Sequence, residues 1–248
     1  VDIRQLQARL VQEGLLPPEV LSRKIEPRRY SPAEIAALVD NLDAEKPLYT
    51  YSDMEMDEVY RGIIPLVEIG ALGSAAVPAL ERALETADGK RRILIAQLLA
   101  LCGSQSGVPV LVGAIQNALA GETLPPRAPG IRHSDTAPPN QAAMPDVAYL
   151  VYTLGMARDR RSLVVWEEVA DLLDFSEADL HDPYKAIFYY VDAVCYGAER
   201  LADPAAVPIL AKIAAHPLLH GQVCRSGFQA DFIPERQAML EIALGRAL

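Results

Sequence analysis

The sequence predicts an all-α fold of stacked helical pairs. Three observations predict it: a phrase that recurs along the chain, a 3.6-residue apolar period behind each copy, and no sustained period-2 alternation. The phrase is a helix end, a glycine turn, then Ala/Gly-Val-Pro opening a second helix. It reads LGSAAVPAL at 72–80, CGSQSGVPVL at 102–111 and YGAERLADPAAVPIL at 196–210, with a decayed copy, LGMARDRRSLVVW, at 154–166. Repetition at a few tens of residues marks repeat architectures in which each unit buries its apolar face only against its neighbours.

Residues 1–50 precede the repeats and read as an N-terminal helical cap or docking arm, and 51–248 as the repeat array. The first segment holds an amphipathic helix (Ile3, Leu6, Leu10), a Pro17-Pro18 break and a second helix opened by Ser31-Pro32-Ala33-Glu34. That string is a capping box with proline at the first helical position. The first helices of the pairs are expected at about 53–72, 89–102, 145–155 and 183–197. Pro65 should kink the first, and Asp182-Pro183 starts the last.

Gly73, Gly103, Gly155 and Gly197 are predicted to end these helices in a left-handed conformation. They are spaced 30, 52 and 42 residues apart. Ser74, Ser106 and Asp203 are the expected caps of the second helices, with Pro78, Pro109, Pro204 and Pro208 in the opening turns. Behind them run the stripes Val77/Leu80/Leu84, Val108/Leu111/Ile115, Leu163/Trp166/Ala170 and Val207/Leu210/Ala214. A last helix, 234–247, should cover the open end. The stretch 121–145, GETLPPRAPGIRHSDTAPPNQAAMP, is a Pro-rich insertion that the bare 30-residue pitch does not need. A loop of that length is a place to look for function.

Composition narrows the function classes. Of 248 residues, 51% are hydrophobic but only 6% aromatic, so the core must be built from Ala, Leu, Val and Ile. A net charge of −10 opposes a nucleic-acid surface. The basic groups Lys90 to Arg92 and Arg158 to Arg161 read as helix ends or a ladder between repeats. No apolar run approaches the roughly 18–20 residues that cross a bilayer. Three unpaired cysteines and no visible signal peptide favour a cytoplasmic, reducing compartment. The start at Val1 reads as a processed or excised end.

The strings GSAAVPAL, SGVPVL and DPAAVPIL resemble the second-helix openings of HEAT-like repeats, the short-pitch bacterial kind. The resemblance spans about residues 53–248. It implies a right-handed α-α superhelix (HEAT/ARM-like solenoid) of about four helical pairs, acting as a non-catalytic scaffold for protein–protein or interdomain contacts. The opening, VDIRQLQARLVQEGLLPPE, resembles the segment that follows the flavin-binding core of bacterial FAD-dependent oxidoreductases, with Val1, Asp2, Arg4, Leu6, Gln7, Leu10 and Gly14 at the matching positions. That resemblance implies a C-terminal accessory domain of such an enzyme. A bilin lyase-like HEAT protein is the remaining alternative.

Chemistry-bearing residues are sparse. Gly70-Ala-Leu-Gly73 imitates part of a dinucleotide fingerprint but follows a helix, and no cofactor is expected in this chain. His216, His220 and Cys224 share a helical face at i, i+4, i+8 and suit zinc, but Pro217 and Gly221 make the segment a loop, so no metal is expected. His133 in the Pro-rich stretch and His181 before a helix start read as structural or solvent-facing. Glu167, Glu168, Asp171 and Asp174 form a solvated acidic helix face, and a single Trp does not furnish a sugar cleft. The tyrosines are the better lead. Tyr149, Tyr152, Tyr184, Tyr189, Tyr190 and Tyr196 gather on two first helices, either as core padding or as a recognition surface. Arg132 and His133 of the Pro-rich insertion complete the expected interaction surface. The expected partner is a protein or a parent-chain domain, not nucleic acid or membrane.

Overall fold

The computed structural model describes residues 3–18, 29–42, 68–126, 146–173, 187–216 and 233–248. These residues are helices and turns, with no strand among them. They belong to two compact units, Val1–Glu34 and Ile35–Leu248.

In the first unit, α1 (Ile3–Gln12) ends at Gly14, whose φ is +72°. Leu15 N–H donates back to the Leu10 carbonyl at 2.8 Å, the six-residue closure that a left-handed glycine permits. Leu6 and Leu15 stay largely exposed. The expected capping box opens α2 (Pro32–Asp40). Ser31 N–H donates to Glu34 Oε2 at 2.8 Å, and Glu34 N–H donates to Ser31 Oγ at 3.3 Å.

In the second unit, α2 continues through Ile35 and Val39, both buried. Its C-terminal carbonyls are held by Arg91, which donates to Leu42 O at 2.8 Å and Val39 O at 2.9 Å. A guanidinium there satisfies orphan carbonyls and meets the negative end of the helix dipole. Residues 68–72 are helical and run into a 3₁₀ turn, Gly73–Ala76. Then follow α3 (Val77–Thr86), α4 (Gly89–Leu101), α5 (Val108–Leu119), α6 (Asp146–Met156), α7 (Ser162–Leu172), α8 (Ile187–Leu201), a second 3₁₀ turn (Pro204–Ala206), α9 (Val207–Ala214) and α10 (Ile233–Ala247). Pro78, Pro109 and Pro208 sit in opening turns as expected.

Contacts between these helices are ordered. Helix α4 meets α6, α6 meets α8, and α8 meets α10. In parallel, α5 meets α7 and α7 meets α9. One continuous apolar core links them from Ala96 on α4 to Ala247 on α10. Helix α10 covers α8 and α9, the role expected of the last helix. The predicted stripes supply residues of this core: Val108, Leu111, Ile115, Trp166 and Leu210 are all fully or almost fully buried, as is Leu80 on α3.

Several local expectations are corrected. Gly73 and Gly103 are left-handed turn residues, at φ +54° and +80°. Gly155 and Gly197 are not: both lie inside helices, α6 and α8. The left-handed residues of those turns are Arg158 and Ala202, at φ +51° and +49°. The two glycines instead let the helices touch. A Cβ on Gly155 would lie 2.5 Å from Gly197 Cα, and one on Gly197 would lie 2.4 Å from Trp166 Cζ2.

Ser74 and Ser106 cap nothing. The 3₁₀ turn at Gly73–Ala76 leads straight into α3, and Gly107 occupies the N-cap position of α5. Ser106 Oγ donates to Glu81 Oε1 instead, at 2.5 Å. Asp203 does cap, accepting from Ala205 N–H at 2.9 Å. Val77 is half-buried rather than core. The Pro65 kink, the Asp182-Pro183 start and residues 127–145 of the Pro-rich insertion lie outside the described residues.

Candidate functional site

The turns between paired helices are stitched to one another by the polar residues of the repeated phrase. Gln105 Nε2 donates to the Ala157 and Arg158 carbonyls at 3.4 and 3.3 Å, and Arg161 donates back to Gln105 O at 3.3 Å. One turn further, Arg160 meets Asp203 at 2.9 Å. The basic group at 158–161 therefore does form a ladder, through two of its three arginines.

Asp159 is buried and accepts from Arg161 N–H at 2.8 Å and from its guanidinium at 2.5 Å. These bonds hold its carboxyl below the usual aspartate range. A depressed folded-state value contributes stability above the unfolded value, about 3.9, that is lost as pH falls through the folded one. Asp159→Ala should therefore cost about 1–2 kcal/mol at pH 7. Urea melts of both proteins should converge as pH drops below about 4, where the unfolded-state carboxyl takes up its proton.

Of the six tyrosines singled out in the sequence, Tyr184 lies outside the described residues and the other five divide into two sets. Tyr190 is fully buried, and its hydroxyl donates to Pro125 O at 2.7 Å, holding the start of the Pro-rich stretch against α8. Tyr189 is half-buried against the core. Tyr149, Tyr152 and Tyr196 form a ladder across α6 and α8. The Tyr149 and Tyr152 rings stack with centroids 6.3 Å apart, and Tyr152 stacks on Tyr196 at 4.2 Å. Arg200 completes it, its guanidinium carbon 4.3 Å from the Tyr196 ring centroid. Burial and a hydrogen bond to Tyr196 push the Tyr152 hydroxyl up to about 12. The ladder exists because Gly155 and Gly197 allow the two helices to approach closely.

Beside the ladder's Arg200 end is a cavity of about 490 Å³. Leu101, Met156, Ala157, Arg158, Tyr196 and Arg200 line it. Sequence periodicity finds the tyrosines but not this cavity, because its lining comes from three helix ends distant in sequence. The one available signal is the i, i+4 spacing of Tyr196 and Arg200.

The remaining expected residues are scattered. His216 follows the end of α9, while His220, Cys224, Arg132 and His133 lie outside the described residues. No group of three or more metal-ligating side chains occurs among the described residues. On the acidic face, Glu168 accepts from Gln116 at 2.6 Å and Asp171 pairs with Lys212. Burial pushes the Cys102 thiol up, so it stays protonated. No described helix is long and apolar enough to cross a membrane. No family model, no curated protein and no solved structure matches the chain, and the chemistry of the site stands on its own geometry.

Proposed function

We propose that the chain is a non-catalytic helical-repeat scaffold of the HEAT-like kind, a right-handed α-α superhelix that binds a protein partner. The observation that carries this reading is the neighbour order of the helices. From α4 onward first helices meet first helices, and from α5 onward second helices meet second helices, in sequence order. Such an arrangement leaves long faces available for a partner. The half-buried Tyr149, Tyr152 and Tyr196, with the exposed Arg200, occupy one of them, and tyrosine and arginine are the residues that anchor interfaces.

A photo-crosslinking amino acid at Tyr149, introduced in cells of the source organism, tests this. It should capture one discrete polypeptide, whereas the same group at exposed Val164 on α7 should not. Absence of a product at 149, or equal products at both positions, contradicts the reading. In a second reading, from the resemblance of residues 1–19, the partner is a flavin-binding domain of the same parent chain, and the crosslink at 149 is then intramolecular. A G-x-G-x-x-G segment encoded upstream of Val1 supports it, and its absence removes it.

A further inference from the structure

Two arginines of the cavity beside the ladder, Arg158 and Arg200, have no anionic partner among the described residues. Within 158–161, Arg160 and Arg161 each hold a carboxylate, Asp203 and Asp159. Arg158, which lines the cavity, meets no carboxylate among the described residues, and neither does Arg200. Two like charges facing one cavity repel each other, and a bound anion relieves that repulsion. Arg200 sits over the Tyr196 ring, its guanidinium carbon 4.3 Å from the centroid. A guanidinium held on an aromatic face still has N–H donors for forked bonds to an oxyanion.

The surroundings select among anions. The cavity sits where α4 ends at Leu101, α6 at Met156 and α8 at Leu201. Helix C-termini carry about half a negative charge each, which offsets part of the field of the two arginines. A monoanion suits that balance better than a doubly charged phosphate. Leu101, Met156 and Ala157 add apolar lining beside the two arginines. A volume of about 490 Å³ lies within the range of clefts that hold small ligands, about 300–1,000 Å³. It admits the end of a chain and not a helix. An Asp or Glu side chain brings a carboxylate with little apolar body. A chain terminus brings a carboxylate and an apolar side chain on the same carbon.

Building on the scaffold reading above, we propose that this cavity takes the C-terminal carboxylate of a partner polypeptide whose last side chain is apolar. The carboxylate is forked between Arg158 and Arg200, and the last side chain rests on Leu101, Met156 and Ala157.

The test uses the full chain labelled with ¹⁵N, following the arginine Nε–H signals. The probes are an acetylated tetra-alanyl-leucine peptide with a free carboxylate, its carboxamide, N-acetyl-leucine and inorganic phosphate. The free peptide should shift the Arg158 and Arg200 signals saturably, and the amide should bind at least tenfold more weakly. Arg200→Gln and Arg158→Gly should each abolish saturation. Arg158→Gly should keep or raise the melting temperature, since φ +51° suits glycine better than arginine. Equal binding of acid and amide, or no shift with either, overturns the proposal. Phosphate binding more tightly than the peptide overturns the selection for a monoanion. N-acetyl-leucine, which carries the same carboxylate and side chain, should shift the same two signals, and its failure to do so while the peptide binds overturns the chain-end assignment. The crosslink at position 149 separates this proposal from the scaffold reading. If it forms equally in the Arg200→Gln chain, the proposal falls and the scaffold stands; if it forms in neither chain, the scaffold reading itself falls.

Discussion

Leu111→Asp is expected to remove most of the stability of the Ile35–Leu248 unit at 25 °C and to lower its melting temperature steeply. Leu111 is fully buried at the end of the first turn of α5, which packs on α4, α6 and α7. Truncation to alanine alone would cost about 3 kcal/mol through lost transfer energy and a cavity. The aspartate adds a polar group with no partner, whether it ionises or takes up a proton. The total is at least about 4 kcal/mol, against a typical whole-domain stability of about 5–15 kcal/mol. The same change at half-buried Val77 should cost less than half as much. Circular dichroism melts of the two variants measure both, and equal effects would place the stripe wrongly.

The second large effect concerns glycine. In a helix interior, alanine is favoured over glycine by about 1 kcal/mol. Gly113→Ala on α5, where an added Cβ meets nothing within 4 Å, should realise most of that gain. Gly155→Ala should do the opposite. Its Cβ would lie 2.5 Å from the Gly197 backbone, well inside the 3.5–4.0 Å of ordinary carbon contact. Backbone cannot swing aside as a side chain can, so α6 and α8 must separate along their whole interface. Overpacking of this kind costs about 1–3 kcal/mol, and here it also parts the Tyr152–Tyr196 stack. A net loss of about 2 kcal/mol is expected. Gly197→Ala should lose as much and also alter the fluorescence of Trp166, the chain's single tryptophan, whose ring lies against that glycine.

Much of the helical framework was legible in the sequence, for identifiable reasons. Prolines at opening turns, the Ser31–Glu34 capping box and the Asp203 cap are local signals that act within one turn of chain. The apolar stripes are periodic and survive comparison with burial at Leu80, Leu111, Ile115 and Leu210. The roles of Gly155 and Gly197 were not legible. Glycine serves both left-handed turns and close helix approach, and one letter does not separate the two uses. Aligning four glycines as turn residues misplaced two by three and five positions relative to Arg158 and Ala202.

The candidate site was half legible. Clustering of tyrosines on two helices is visible as spacing, yet which rings stack depends on a crossing between residues 44 positions apart, Tyr152 and Tyr196. Tyr190 belongs to the same cluster in sequence, but its helical phase turns it into the core and onto Pro125. Arg158 and Arg160 are near neighbours in a basic run, and only the fold shows that one meets Asp203 while the other faces the cavity.

The stacked order of the helices is the central claim, and a distance measurement tests it most directly. Nitroxides attached through unnatural amino acids at Arg92 on α4 and Ile242 on α10 would lie on helices separated by α6 and α8. Three interaxial steps of about 8–10 Å place those axes about 25–30 Å apart in a stack. Double electron–electron resonance should therefore show a single distance distribution centred near that range. A distribution centred below about 15 Å, the spacing of helices one or two steps apart in a closed bundle, would contradict the repeat scaffold.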